Sequence, residues 1–265
     1  MRGGTASIGR LAGAAVLVAL VAARPAAAQS SGFLTRVDYS LLWSAIAATD
    51  PRFSWQGRLG LDADFIDYRT GRLRFVADYE AFLGGERRRW DLNQGAYRFE
   101  MTASRRLATA ELAAGFLHVS RHLVDRENPP AISWNTLLLR ASERRAFNQG
   151  ATVVDGRIET ARAMQQAYVD YAWTSDARVG VRHSLRSKPR LALLAAASGG
   201  VIGVKHELYG RPRVCGGRVE GGIRVNGDAA AIEIFLGYER RIDAFPTDRF
   251  RVRMWTIGFR IVNAR

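Results

Sequence analysis

Residues Phe53 to Asp67 read FSWQGRLGLDADFID. Phe53, Trp55, Leu59, Leu61, Ala63 and Phe65 occupy odd positions, while Ser54, Gln56, Arg58, Asp62 and Asp64 occupy even ones. A period of two marks an extended strand with one apolar and one charged face. The next segment repeats it, with Leu73, Phe75, Ala77, Tyr79, Ala81 and Leu83 set against Arg72, Arg74, Asp78 and Glu80. So does a third, with Tyr97, Phe99, Met101 and Ala103 against Arg98, Glu100, Thr102 and Ser104. These runs exceed the ~5 to 6 residues usual for strands of soluble sheets. They match the ~9 to 11 needed to cross a bilayer with apolar side chains toward lipid and polar ones toward a lumen. Unpaired backbone groups at an open sheet edge cannot be accommodated in hydrocarbon, so such strands imply a closed barrel.

The same alternation, punctuated by turn signals, continues in both directions. Thr70-Gly71, Leu107 to Thr109 and Asn226-Gly227-Asp228 read as tight turns, and Gly84 to Gly95, Val124 to Ala131 and Asp243 to Asp248 as longer loops. Short and long connections alternate, as periplasmic turns and extracellular loops do in outer-membrane barrels. Strands are expected at 33–43, 53–68, 72–84, 95–107, 110–123, 132–145, 165–174, 177–186, 190–208, 214–225, 229–241 and 249–262. The fold class is therefore all-β, a closed antiparallel transmembrane barrel of twelve strands, with ten as the alternative count. Between Phe147 and Gln166 the pattern fits a short helix or part of a strand, and Gly199-Gly200 is positioned to kink or split the ninth strand.

The first residues have the form of a secretory signal: basic Arg2 and Arg10, an apolar run from Leu11 to Ala22, and Ala26-Ala27-Ala28 before Gln29. Residues 1–28 are expected to be removed on export, leaving one barrel domain over 29–265 in the cell outer membrane. The formal net charge is +14, to which Arg2, Arg10 and Arg24 contribute three, and Lys188 and Lys205 are the only lysines. Arginines spread along an exported chain argue against nucleic acid as a partner. They point to outer-membrane lipid or lipopolysaccharide phosphate, and to ion pairs with carboxylates inside the fold. Cys215 is the single cysteine, so neither an intrachain disulfide nor a thiol metal site is available.

The segment Gly115 to Leu139, GFLHVSRHLVDRENPPAISWNTLLL, carries the chemistry. In its first strand Leu112, Ala114, Phe116, His118, Ser120 and His122 share one face, opposite Glu111 and Arg121. In the next, Asn135, Leu137 and Leu139 lie opposite Thr136 and Arg140. His118, Ser120 and Asn135 thus point toward lipid, where polar side chains are costly. Ser120 as nucleophile, His118 as general base and Asn135 as the group holding the imidazole tautomer would support acyl transfer. His118 and His122, four residues apart on a strand, are separated by ~13 Å and cannot chelate one ion. Trp90, Trp134, Trp173 and Trp255 are expected in the interfacial girdles.

His118-x-Ser120 followed by Ser133-Trp134-Asn135 resembles outer-membrane phospholipase A. That resemblance implies a twelve-stranded barrel whose His, Ser and Asn cleave phospholipid acyl esters with calcium. The H-x-S pair is also similar to that of outer-membrane lipid A deacylases. The run His118 to Asp125, HVSRHLVD, resembles H-x-S-x-H-L-x-D segments of uncharacterised outer-membrane barrel families. The phospholipase has Asn and Gly after its serine, where this chain has Arg121 and His122, and its calcium-binding serine falls where this chain has Ala131. Asp125 and Glu127 in the following loop are the candidates that could substitute as calcium ligands. The expected function is lipid acyl-ester hydrolysis in the outer leaflet, and a homodimer is compatible with it. The alternatives are a structural or adhesive barrel without catalysis and a small pore, the last disfavoured by lumen charges such as Arg58, Asp62, Arg74 and Asp78.

Overall fold

The computed structural model describes residues 31–85, 90–123, 132–185, 188–208, 211–242 and 251–263. They form β1 (Gly32–Ala48), β2 (Trp55–Asp67), β3 (Arg72–Gly84), β4 (Asp91–Arg106), β5 (Glu111–Leu123) and β6 (Ile132–Phe147). After a single 3-10 turn, Asn148–Gly150, come β7 (Thr152–Ala167), β8 (Tyr171–Leu185), β9 (Lys188–Leu208), β10 (Arg211–Asn226), β11 (Ala230–Arg241) and β12 (Val252–Asn263). Each strand pairs antiparallel with its sequence neighbours, and β1 closes on β12 from Ser40↔Val262 to Ala48↔Met254. The strand count is twelve. The expected signal segment 1–28, the expected loop 124–131 with Asp125 and Glu127, and Asp243 to Asp248 lie outside the described residues.

Most expected boundaries hold to within about three residues, but β1 continues to Ala48 rather than ending at 43, β4 begins at Asp91 within the expected Gly84–Gly95 loop, and the region of β7 and β8 differs throughout. A strand was expected at 165–174, but Thr152–Ala167 and Tyr171–Leu185 are the strands, and the chain reverses between them. Neither a helix nor a break is found: Thr160 to Ala167 is strand, and β9 runs through Gly199 and Gly200 without splitting. The irregularity in β7 has a cause. Glu159 and Ala161 are buried inside the barrel, so Ile158, Thr160, Arg162 and Met164 face out. A guanidinium on the apolar face hides the period, and a bulge between Asn135 and Thr136 in the β6–β7 pairing shifts it again.

Outward faces carry the exposed apolar side chains, such as Leu59, Met101, Leu137, Ile158, Leu236 and Ile257. Inward faces carry an arginine–carboxylate network that crosses between strands. Arg58 bonds Asp78 at 2.9 Å, and Arg74 pairs with Asp62. The pairs are diagonal between strands rather than along one strand, because residues four apart on a strand are ~13 Å apart while diagonal neighbours are ~7 to 8 Å apart. Arg36 bonds Asp62 at 2.9 Å and Asp64 at 3.0 Å, and Arg72 bridges Asp64 and Glu111 at 2.7 Å each. At mid-barrel Arg140 lies between Glu100 (2.6 Å) and Glu159 (2.7 Å), all three side chains at most 4% exposed. Burying an isolated charge is prohibitive, so the inward arginines depend on these carboxylates.

At the end carrying the connections 85–90, 124–131 and 242–251, the network gives way to an apolar layer. Phe53, Phe82, Ile132, Trp134, Tyr171 and Met254 meet there. They come from opposite sides of the barrel, so the layer crosses its interior. Trp134 is 8% exposed, packs edge-on against Tyr171 at 5.1 Å and lies under the Arg121 guanidinium at 5.2 Å. The expectation that Trp134 belongs to a lipid-facing girdle is therefore corrected: Asn135 faces out, so its neighbour must face in. Trp90, Trp173 and Trp255 are not in that buried layer, and Trp90 stacks on Trp55 at 4.5 Å. Beneath the layer a cavity of about 490 Å³ is lined by residues including Arg58, Asp78, Arg98, Arg178 and Arg218.

Candidate active site

β5 and β6 set the site. Their register places His118 opposite Asn135 and Ser120 opposite Ser133, while β4 places Phe99 beside His118 and Tyr97 beside Ser120. Leu117 and Leu123 are buried inside the barrel, so His118, Ser120 and His122 all face out, as does Asn135 between buried Trp134 and Thr136. His118 is five positions before the end of β5 and Asn135 three after the start of β6. Both therefore lie toward the end that carries the longest connections.

His118 Nδ1 and Asn135 Oδ1 are 2.7 Å apart. A carbonyl oxygen only accepts, so Nδ1 carries the proton and Nε2 is left with the basic lone pair. Asn135 Nδ2 in turn donates to Gln165 Oε1 at 3.3 Å, which fixes the amide with its oxygen toward the imidazole. Gln165 reaches this position because β7 pairs it with Asn135 just before the bulge. Ser120 makes a different contact: its Oγ lies 3.1 Å from His122 Nε2, and no hydrogen bond joins it to His118 among the described residues. The His122 ring stands edge-on to Tyr97 at 5.5 Å.

The structure thus brings His118 and Asn135 together directly and places Ser120 on the same face between two imidazoles. Two participants were missed in the sequence. His122 had been weighed only as a metal ligand, although its two-residue offset from Ser120 is the same as that of His118. Gln165 gave no signal, because β7 was not located. Among the described residues no three His, Cys, Asp or Glu side chains converge as metal ligands. Calcium takes 6–8 oxygens, usually including carboxylates. Among the described residues the groups around Ser120 are hydroxyls, amides and imidazoles, and the expected carboxylates Asp125 and Glu127 lie outside the described residues.

No family model and no curated protein sequence matches the chain. Solved structures do match in fold. Outer membrane phospholipase A from Escherichia coli aligns with a TM-score of 0.54 at 10% identity, over 88% of this chain and 94% of its own. The Salmonella typhi outer membrane phospholipase, a dimer with bound calcium, gives 0.52 at 12% identity over 94% and 98%. The NanC porin gives 0.50 at 10% identity over 84% and 98%. At these identities the likeness is one of fold. The chain is a closed twelve-stranded antiparallel β-barrel whose fold resembles that of outer membrane phospholipase A.

Proposed function

We propose that this barrel is a lipid acyl-ester hydrolase acting in the outer leaflet, with Ser120 as nucleophile, His118 as general base and Asn135 as the group that orients the base. The observation that carries the reading is the 2.7 Å bond from His118 Nδ1 to Asn135 Oδ1 on the lipid-facing side of the wall, two residues from an outward serine. It commits the imidazole to the tautomer a base needs. Rotation of Ser120 about χ1 away from His122 presents Oγ to His118 Nε2. The oxygen then attacks the ester carbonyl, the imidazole takes the hydroxyl proton and later delivers it to the leaving alcohol, and water releases the acyl group by the reverse sequence. A neutral Asn stabilises the imidazolium less than a carboxylate does, but it avoids placing a charge at a lipid-facing position. Export with removal of residues 1–28, and lipid or lipopolysaccharide as substrate, belong to this same reading. Dimerisation, as in the calcium-bound Salmonella typhi structure, belongs to it too, and no step above is routed through calcium.

The 3.1 Å contact between Ser120 and His122 favours one second reading, in which His122 is the base. Acyl release from phospholipid and from lipopolysaccharide by the refolded barrel, with and without calcium, tests both. The expected result is release by wild type and none above background by Ser120→Ala. His118→Ala should fall about 10² to 10⁴-fold, the range for a lost general base, and His122→Ala by less than tenfold. The reverse order for the two histidines transfers the role to His122. Equal release by Ser120→Ala rejects the hydrolase.

A further inference from the structure

On the far side of the barrel from β5 and β6, the outward face carries a second unusual group. In β11 Phe235 and Gly237 are buried inside, so Tyr238 and Arg240 face out with Leu236. In β12 Val252 and Met254 are buried inside, so Arg253, Trp255 and Ile257 face out. The register sets Arg240 directly opposite Arg253 and, two residues deeper, Tyr238 opposite Trp255, with ring centroids 5.0 Å apart. Both arginines are exposed, and neither has a hydrogen-bond or ion-pair partner among the described residues. Like charges directly opposite each other destabilise an antiparallel pair. On the luminal face of the same strands such charges are neutralised: Glu239 bonds Arg218 at 3.3 Å and pairs with Arg241. Among the described residues no carboxylate bonds the outward pair.

We infer that Arg240 and Arg253 clamp the phosphate of an anionic membrane lipid. An anion between two guanidiniums turns their repulsion into charge-assisted hydrogen bonds, and the forked geometry of arginine suits phosphate oxygens. The source of the phosphate follows from what lies beneath it. The Tyr238–Trp255 pair marks the boundary between headgroup and hydrocarbon, and Leu236 and Ile257, 54% and 60% exposed, continue as an apolar track for acyl chains. A soluble anion has no use for that track. The combination of arginine and indole recurs on the outer wall where the Arg213 guanidinium lies 5.9 Å over Trp173.

The inference rests on the membrane setting of the barrel and is independent of hydrolysis. Its test therefore uses the Ser120→Ala protein, which keeps any bound ester intact. In neutral detergent, native mass spectrometry during titration with phosphatidic acid should show a retained adduct, and diacylglycerol with the same chains should give none. Arg240→Gln/Arg253→Gln should weaken the adduct at least tenfold. Arg105→Gln/Arg145→Gln, with the same change of charge at the opposite rim, should not. All four positions are exposed on the wall, and heat-modifiable mobility confirms that each variant folds. Undiminished binding by the Arg240/Arg253 variant, equal loss in the control pair, equal retention of diacylglycerol, or displacement of the lipid by low-millimolar inorganic phosphate would each overturn the clamp.

Discussion

His118 is held through a short chain of neutral groups, Gln165 to Asn135 to the imidazole, and each link sets the direction of the next hydrogen bond. Asn135→Ala should lower kcat about tenfold, equivalent to 1.4 kcal/mol, with KM little changed, since only the base loses its orientation. Gln165→Ala should have a smaller effect of the same kind. Arg140 poses the opposite problem. Its guanidinium is 3% exposed between two carboxylates, so Arg140→Ala leaves the buried Glu100 and Glu159 with Arg98, at 2.8 and 3.7 Å, as their ion-pair partner among the described residues. A loss of about 3 to 5 kcal/mol is expected in urea unfolding from lipid vesicles, with recovery when Glu100→Gln and Glu159→Gln are added. The residue types at the candidate site were legible because polar groups interrupt apolar faces at His118, Ser120 and Asn135. Which imidazole meets Ser120 was not, because it depends on a side-chain rotation that alternation does not encode.

Among the elements, the alternation of β2, β3 and β4 could be read directly because the large outward side chains within them, such as Leu59, Leu61, Phe75, Phe99 and Met101, are apolar. β7 could not. Arg162 stands on its outward face, and the reversal before it, Asn148-Gln149-Gly150, takes positive φ at all three residues without a Gly-rich signal. Gly203, within β9, marks contact rather than a turn. A Cβ on Gly203 would lie 2.2 Å from the Trp173 indole nitrogen, so the ring occupies the space the glycine leaves and reaches under Arg213. Gly203→Ala should displace the indole, change tryptophan emission and cost about 1 to 3 kcal/mol as overpacking does. An unchanged spectrum and stability would mean that the ring does not depend on that gap.

For the whole molecule, charge and closure are linked. Much of the arginine that makes the chain basic is spent inside the barrel against Asp and Glu, and the apolar layer around Trp134 and Phe82 lies across the interior near the end with the longest connections. Planar-bilayer recordings should therefore show little conductance for wild type, and Trp134→Ala/Phe82→Ala should raise it. Porin-like current in wild type would contradict that obstruction. On the proposed reading the chemistry lies on the outer wall, where the candidate nucleophile Ser120 faces out. The most direct measurement is covalent: treatment of the refolded barrel with a long-chain sulfonyl fluoride, followed by intact-mass and peptide analysis. The account predicts one adduct, on Ser120, formed at least a hundredfold more slowly in His118→Ala. Labelling at another residue, or none in wild type, would contradict it.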